Sequence, residues 1–221
     1  MKGTVAVVTG GTRGIGLACA QMLARNGATV VTVARSKSAS VQCDLSDRSA
    51  VERAIDAIRS KHGAPAVLVN NAGIFRMAPV HGTTADDFEQ ALQVNLFAPF
   101  LFIRAFVGDM KKSGAGHIVT IGSIADRVIF PENSAYAASK FGGRAMHEVL
   151  RAELRGSGVR ATLVSPAPVN TEIWDEIDPD NKAGFTPRAE MLTAEAVAAA
   201  VEFALTRPPD VNVDELRLSR S

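Results

Sequence analysis

The first sixteen residues of this chain constrain its fold more than any other stretch. An apolar, β-branched run at 4–9 is followed by the glycine-rich segment 10–16, and a helical pattern of apolar residues continues beyond it. A short strand, a tight glycine turn and a helix form the unit from which parallel α/β sheets are built. Glycines let a backbone approach a pyrophosphate closely, and a helix N-terminus offers free N–H groups. The strict G-x-G-x-x-G spacing is absent, so a turn that binds nothing remains an alternative.

The remainder of the chain repeats this alternation. Predicted strands lie at 4–9, 28–34, 41–43, 66–70, 116–122, 159–165 and 212–218, and predicted helices at 14–26, 47–62, 84–112, 134–156 and 193–206. Strands separated by helices predict a single doubly wound, parallel sheet with helices on both faces, over residues 1–221. Only nine positions separate Arg35 from Asp44, which predicts an abbreviated crossover there. Segment 171–191 lacks periodicity, and we expect it to form a lid loop over the site.

Composition excludes several classes of protein. The 221 residues are 47% hydrophobic with a net charge of +1, which suits one α/β domain and predicts neither a nucleic-acid nor a membrane partner. No apolar run approaches about 18 residues, so we expect no membrane span. Residues 1–4 lead straight into the first predicted strand, so we expect no signal peptide. The only cysteines, Cys19 and Cys43, predict no disulfide framework. We expect a cytoplasmic protein without a metal site.

The stretch Y-A-A-S-K at 136–140, with Ser123 thirteen positions upstream of its tyrosine, carries the chemistry. On a helix, Tyr136 and Lys140 lie on one face because they are four residues apart. An adjacent ammonium favours the phenolate, and such a tyrosine can give or take a proton at a substrate oxygen. The Y-x-x-x-K spacing alone is weak, because it occurs by chance in many helices.

The chain resembles the short-chain dehydrogenase/reductase family in five elements in register: T-G-G-T-R-G-I-G at 9–16, N-N-A-G at 70–73, Asn95, Ser123 and Y-A-A-S-K at 136–140. The resemblance covers nearly the whole chain and implies a Rossmann-type, seven-stranded sheet of order 3-2-1-4-5-6-7. It implies that Ser123 orients a substrate oxygen, Tyr136 exchanges the proton, and Lys140 supports the tyrosine and holds the nicotinamide ribose. Asn95 would kink its helix and hold a water behind the lysine; a tolerated polar residue is the alternative.

The end of the second predicted strand favours NADP(H) as cofactor. The strand ends in Ala34 and Arg35, with no acid to receive the ribose hydroxyls of NAD. Arg13 and Arg35 could clamp a 2′-phosphate through charge-assisted hydrogen bonds, although two solvated surface arginines would give the same pattern. The resemblance implies these cofactor-binding residues: Gly10, Thr12, Arg13, Gly14, Ile15, Gly16, Arg35, Asp44, Leu45, Asn71, Ala72, Gly73, Tyr136, Lys140, Pro166, Val169 and Thr171.

One loop departs from the family pattern. Residues 165–171 resemble the pattern P-G-x-V-x-T, but Ala167 stands where glycine is usual, and Pro168 removes a backbone donor. We expect cofactor binding to survive this change and the substrate side of the loop to be altered.

Together these features predict an oxidoreductase that moves hydride between a nicotinamide and a carbonyl or secondary alcohol, of small ketone, 3-oxo acid or ester type. A 3-oxoacyl-(acyl-carrier-protein) reductase is the alternative enzyme. Segment 211–216 argues weakly against it, because it lacks a D-G-G ending and resembles the N-V-x-x-L ending of enzymes for small 3-hydroxy acids and related alcohols. A catalytically silent NADP-binding sensor or scaffold and a methyltransferase are alternatives from other classes. The Asn–Ser–Tyr–Lys set argues against both.

Other residues bear on the kind of substrate and on the oligomeric state. Candidate pocket residues, any of which could instead belong to the core, are mostly apolar: Phe75, Ile124, Ala125, Phe130, Ile173, Trp174 and Phe185. Arg76 and Arg127 could bind a carboxylate or phosphate, with a solvated surface position as the more frequent alternative. Helices 84–112 and 134–156 carry more apolar residues than one sheet-facing stripe needs. We expect them to form a homo-oligomer, a tetramer or a dimer.

Overall fold

Seven strands and six α-helices alternate along the chain, and the computed structural model describes residues 1–221. The strands are β1 (Val5–Thr9), β2 (Thr29–Ala34), β3 (Val41–Gln42), β4 (Val67–Asn70), β5 (Gly116–Ile121), β6 (Val159–Pro166) and β7 (Glu215–Leu218). The helices are α1 (Gly14–Arg25), α2 (Arg48–His62), α3 (Ala85–Leu92), α4 (Ala98–Ser113), α5 (Ser134–Glu153) and α6 (Ala194–Leu205). The sheet order is β3-β2-β1-β4-β5-β6-β7 with every pairing parallel, so the predicted fold class and strand order are confirmed.

The central strands are buried on both faces because helices cover both sides of the sheet. Val7 of β1 belongs to a core layer shared with Phe102 and Phe106, to which α2, α4 and α5 contribute. Its neighbours Ala6 and Val8 belong to the opposite layer, to which α1 and α6 contribute. A parallel strand buried on both faces needs a nearly continuous apolar run, which explains the composition of the first strand.

The strand order leaves a crevice at the carboxyl ends of the central strands. β1 lies between β2 and β4, so the chain builds one half of the sheet and then crosses to the other. At such a reversal, the loops that follow the two central strands diverge and open a binding crevice at the carboxyl ends of the strands. The loops that follow β2, β5 and β6 begin at this same end of the sheet, because all strands are parallel.

Three local details sharpen or correct the predicted elements. Residues 35–40, between β2 and β3, contain no helix, as the short spacing predicts. The helix predicted over 84–112 is α3 and α4 joined by a π turn at Gln93–Phe97. The last strand begins at Glu215 and not at 212. The side chain of Asn212 accepts from the Ala161 N–H at 2.9 Å and donates to the Ala161 carbonyl at 3.1 Å, so it replaces backbone pairing there.

The helical segment Ala85–Ser113 is long and apolar enough to cross a membrane by length and composition, with a mean hydropathy of 1.5. The segment is not an unbroken apolar run, because charged residues such as Asp86 and Arg104 interrupt it. Half of the apolar window is buried inside the domain, and Phe102 and Phe106 are fully buried in the core. A core helix of an α/β domain passes the same test, and this packing identifies the segment as such a helix.

Candidate active site

The turn between β1 and α1 is built from glycines that have no room for side chains. Gly10 and Gly14 have φ angles of +66° and +50°, in the left-handed region that favours glycine. A Cβ on Gly16 would lie 2.2 Å from the Gly10 carbonyl oxygen. No side chain caps the N-terminus of α1, and its first turn contains no acid. Its free N–H groups are therefore available to an anionic ligand.

The loop after β4 is fastened to this turn. The Thr9 hydroxyl accepts hydrogen bonds from the N–H groups of Asn71 at 3.0 Å and Ala72 at 3.1 Å. In return, the Asn71 side chain donates to the Thr9 carbonyl at 2.9 Å. The N-N-A-G stretch therefore fixes one wall of the crevice against the other.

Arg13 and Arg35 both line a cavity of about 870 Å³ along the carboxyl edge of the sheet. They follow the adjacent strands β1 and β2, and no acid stands at the end of β2. Asp44 lines the cavity as well, but its carboxylate accepts hydrogen bonds from the Ser46 N–H at 3.0 Å and the Ser46 hydroxyl at 2.8 Å. This end of the cavity therefore presents two guanidinium groups to a ligand.

Ser123, Tyr136 and Lys140 line the same cavity. Lys140 is only 9% exposed; its Nζ donates to the Ile121 carbonyl at 3.0 Å and lies 5.5 Å from the centre of the Tyr136 ring. Ser123 caps a short 3-10 helix, and its Oγ accepts from the Ala125 N–H at 3.1 Å. A hydroxyl, a phenol and an ammonium therefore face one space, as proton transfer to a bound oxygen requires.

Asn95 lies behind this group, in the π turn between α3 and α4. Its Nδ2 donates to the Ile74 carbonyl and to the Ser139 hydroxyl, each at 3.0 Å, and its Oδ1 accepts from the Ile74 N–H at 2.8 Å. A Cβ on Gly73 would lie 3.5 Å from Asn95 Oδ1 and 4.0 Å from Lys140 Nζ. Asn95 therefore ties the loop after β4 to α5 beside the lysine, and π turns are frequent at functional sites.

Residues 171–191 contribute a wall of the cavity. A bridge between Val169 and Leu192 closes the base of this segment. Arg188 donates to the Thr171 carbonyl at 3.1 Å and to the Asp175 carboxylate at 2.6 Å, which ties the loop to itself. From this segment Ile173, Trp174 and Phe185 line the cavity with apolar surface, and Glu172 and Thr186 line it with polar groups.

Comparison with known proteins identifies the arrangement. The family model described as short chain dehydrogenase matches residues 4–182. The chain is a short-chain dehydrogenase. The predicted family and enzyme class, an NAD(P)-dependent oxidoreductase, are thereby confirmed.

Three relatives of this short-chain dehydrogenase illustrate the range of the family. This chain is 34% identical over 223 residues to the D-threitol dehydrogenase of Mycolicibacterium smegmatis, and the match covers 92% of this chain and 86% of the relative. It is 35% identical over 205 residues to the 3-oxoacyl-(acyl-carrier-protein) reductase MabA of Mycobacterium avium, covering 89% and 80%. A metagenomic short-chain oxidoreductase solved in complex with NADP superposes with a TM-score of 0.84 at 30% identity, covering 100% and 99%.

The cavity of this short-chain dehydrogenase contains all but two of the residues predicted as catalytic or cofactor-binding. Asn95 lies behind it, and Gly16 lies beneath the glycine turn. All seven candidate pocket residues line it. Further lining residues lie in loops or carry no motif and were not predicted: Met77, Gln90, Pro131, Glu132, Asn133, Glu172 and Thr186. The position of 131–133 just before the helix of Tyr136 was a signal that could have found three of them.

The two arginines predicted near the substrate do not face the cavity. Arg76 lines a smaller adjoining pocket that shares Tyr136 and Glu132 with the cavity, where it pairs with Asp87 and is half exposed. Arg127 is neither a substrate ligand nor a solvated residue, because its side chain is only 17% exposed and pairs with both Asp126 and Glu215. Desolvating a guanidinium is costly, and two carboxylates offset that cost here. Both predicted alternatives for Arg127 are therefore wrong.

Proposed function

We propose that this enzyme uses NADP(H) to move hydride to or from a small ketone, 3-oxo acid or ester, or the corresponding secondary alcohol. The observation that carries the proposal is one cavity lined by Ser123, Tyr136 and Lys140 as well as by Arg13 and Arg35. The metagenomic relative described above, which is 30% identical, was solved with NADP.

The residues present fit such a dinucleotide. A Cβ on Gly10 would lie 2.9 Å from Asn71 Nδ2 and 3.0 Å from Ala72 Cα, so the turn is kept clear of side chains. The uncapped N-terminus of α1 suits a pyrophosphate, and the two arginines suit a 2′-phosphate. The other residues that we assign to the cofactor are Thr12, Gly14, Ile15, Asp44, Leu45, Gly73, Pro166, Val169 and Thr171, all of which line the cavity.

The chain's own residues would orient the substrate and manage its proton. When bound, the nicotinamide supplies hydride to the carbonyl carbon or accepts it in reverse. During reduction, the Ser123 hydroxyl donates to the substrate oxygen, and Tyr136 transfers its phenolic proton to that oxygen. The Lys140 ammonium, 5.5 Å from the ring centre, stabilises the phenolate left behind. A water held by Asn95 behind the lysine would return the proton from solvent.

The direct test is consumption of NADPH and of NADH with small ketones, 3-oxo esters, diketones and aldehydes. Tyr136→Phe removes the proton donor and should reduce kcat by at least about 10²-fold, the usual contribution of acid–base catalysis. NADPH affinity, measured by fluorescence titration, should fall far less than kcat. Residual turnover within tenfold of the parent would contradict the assignment of Tyr136.

A second candidate function is reduction of 3-oxoacyl groups on an acyl-carrier protein. The 35% identity to the mycobacterial reductase favours it. Turnover of an acyl-carrier-protein thioester at a kcat/KM well above that of the free ester would establish this alternative. NADPH binding without turnover of any carbonyl would instead indicate a silent binding module.

We also propose that the enzyme is a homo-oligomer, a tetramer or a dimer, formed through helices 84–112 and 134–156. Phe100 on α4 is 41% exposed, and Phe141 and Val149 on α5 are 39% and 58% exposed. Exposed apolar side chains on α4 and α5 favour burial against a second copy. Light scattering should give a multiple of the chain mass, and Val149→Glu should lower it.

A cytoplasmic location remains our proposal. Both cysteines are buried and unpaired, and burial raises the pKa of Cys19 to about 12 and of Cys43 to about 11. Protonated free thiols are typical of proteins in reducing compartments. Fractionation of the source cells with an antibody against the chain would test the location.

A further inference from the structure

A row of aromatic rings leads from the reacting tyrosine into the segment 171–191. The Phe75 ring lies 4.7 Å from the Tyr136 ring, Trp174 packs edge-on to Phe75 at 5.3 Å, and Phe185 packs edge-on to Trp174 at 6.4 Å. The one polar atom of this row beyond Tyr136, the Trp174 Nε1, already donates to the Val169 carbonyl at 3.0 Å. This row of rings therefore offers a substrate carbon surface and no free hydrogen-bonding group.

The charges around the cavity are unevenly distributed. Only three basic residues line it: Arg13 and Arg35, which follow β1 and β2, and Lys140, whose ammonium already binds the Ile121 carbonyl. The loop before α5 contributes an acid, Glu132. Arg76, in the adjoining pocket beside Tyr136, is already paired with Asp87. A carboxylate on the substrate would thus lack a free cation to pair with, which is unfavourable.

The rim beside this wall is apolar as well. Val128, Ile129 and Phe130 are consecutive and 40%, 70% and 42% exposed, and Phe130 also lines the cavity. Exposed apolar residues that continue a cavity outward mark a surface to be covered by a ligand. The apolar contact surface therefore extends beyond the reacting centre.

From these observations we propose that the substrate is an uncharged ketone or secondary alcohol with an aryl or bulky alkyl group beside the reacting carbon. Of the substrates that the proposed function allows, anionic 3-oxo acids should then be poor ones, and polyols should be poor as well. The inference rests on the proposed function and narrows it.

Matched carbonyl pairs separate charge from size. Ethyl benzoylformate and benzoylformate differ in charge, whereas ethyl benzoylformate and ethyl pyruvate differ in the aryl group. With NADPH saturating, we expect kcat/KM for ethyl benzoylformate to exceed that for benzoylformate by at least about 10²-fold and that for ethyl pyruvate by at least about tenfold. Trp174→Leu should reduce the second ratio, and Glu132→Lys should reduce the first, with Glu132→Gln as the matched control. Equal use of the acid, or better oxidation of threitol or gluconate with NADP⁺, would overturn the inference.

A binding measurement distinguishes failure of this inference from failure of the proposed reaction. Trp174 is the only tryptophan of the chain, so its fluorescence reports on this wall directly. With NADP⁺ present, ethyl benzoylformate should quench it at concentrations at least tenfold below those of benzoylformate. Preferential binding of the neutral ester without turnover would refute the reaction but support the inference. Turnover with a preference for the acid would support the reaction but refute the inference about the substrate. Quenching by neither compound would also count against that inference.

A separate observation concerns how Ser123 is held. Asp126, fully buried at the end of the 3-10 helix that Ser123 caps, accepts from the Ser165 hydroxyl at 2.5 Å and from Arg127 Nε at 2.7 Å. The guanidinium of Arg127 also pairs with Glu215. The loop that carries Ser123 is therefore bonded to β6 and β7.

The geometry points to Asp126, Arg127 and Glu215 as positioning residues for the Ser123 hydroxyl. This assignment also depends on the proposed reaction. Gly122, directly before Ser123, fits the same arrangement, because a Cβ there would lie 2.7 Å from both Asp126 Oδ2 and the Ser165 hydroxyl. The network thus fixes the backbone on both sides of the serine.

A double-mutant cycle tests the positioning role. Glu215→Gln and Arg127→Gln should each lower kcat at least about fivefold in the parent while leaving the KM for NADPH within twofold. In a Ser123→Ala background the same changes should leave kcat nearly unaltered, because the hydroxyl they position is gone. Full, additive losses of kcat in that background would show a merely structural network and overturn the assignment. Arg127→Lys, which retains the charge, should restore part of kcat.

Discussion

Two buried histidines should make the stability of this enzyme fall steeply in mild acid. His117 on β5 bonds Thr162 at 2.8 Å, and His147 on α5 bonds Thr120 at 3.0 Å. Burial is the main reason that the pKa of His117 falls to about 3 and that of His147 to about 4, from an ordinary 6.5. The nearby guanidinium of Arg160 lowers the pKa of His117 further. Both imidazoles therefore remain neutral in the folded chain.

The sign and the magnitude follow from linkage. Because both pKa values are depressed on folding, the unfolded chain binds more protons below pH 6.5, so stability is full above that pH and is lost as the pH falls. At pH 5 an unfolded histidine is almost fully protonated while both folded ones are still neutral. Each then costs about 2 kcal/mol relative to pH 8, at about 1.4 kcal/mol per pH unit below 6.5. The two together should remove about 4 kcal/mol, a large part of the stability of a typical domain.

Urea unfolding at pH 8 and pH 5 measures this loss. His117→Gln and His147→Gln retain a polar group for the threonine partners, but their side chains cannot be protonated in this pH range. Each should reduce the pH-dependent loss by about half, and the double variant should nearly abolish it. The carboxylates contribute equally in the parent, the two single variants and the double variant, so their contribution cancels from the comparison. If the variants lose as much free energy of unfolding between pH 8 and pH 5 as the parent, the reasoning is refuted.

The remaining predictions concern the site. Lys140→Met should lower kcat about 10²-fold, because a charge 5.5 Å from the tyrosine ring is worth about 3 kcal/mol at an effective dielectric constant of about 20; Lys140→Arg should lose much less in the same kinetic assay. Gly16→Ala should weaken NADPH binding by more than about tenfold in a titration, because its Cβ would lie 2.2 Å from a backbone oxygen, whereas Gly108→Ala, which has open space, should not. Arg35→Asp should shift the kcat/KM ratio of NADPH to NADH toward NADH by about 10²-fold, through the loss of charge-assisted hydrogen bonds.

The parallel sheet and many of the residues gathered at the cavity were predictable because their signals are local in sequence, whereas the strand order was implied by the resemblance to a known family. A strand buried on both faces must be apolar throughout, and the glycine turn fixes where the first helix begins. The parallel arrangement then brings every loop that follows a strand to one edge. Tyr136 and Lys140 needed only helical spacing to share a face. For these elements, short-range geometry already determines which residues meet.

Contacts between distant segments could not be predicted in this way. Arg127 was expected either at the substrate or in solvent, yet its charge is taken up by Asp126 and by Glu215 on the last strand. Nothing in the pattern around Arg127 indicates that partner, because the pairing exists only once β5, β6 and β7 are side by side. The late start of β7 has a similar origin, since it depends on Asn212 reaching the backbone of Ala161.

The same distinction explains why the motifs predict the reaction more sharply than the substrate. The reacting groups lie at fixed spacings, because every substrate of such an enzyme presents the same oxygen and the same hydride acceptor or donor. The rest of the substrate meets a wall assembled from Phe75 after β4, Phe130 before α5 and Trp174 after β6. No spacing rule connects these three positions, and the chemistry does not require any particular side chain at them. Substrate choice is therefore expressed in the packing of three loops, where the contacting rings of Phe75 and Trp174 and the lack of a free cation favour an uncharged, apolar substrate.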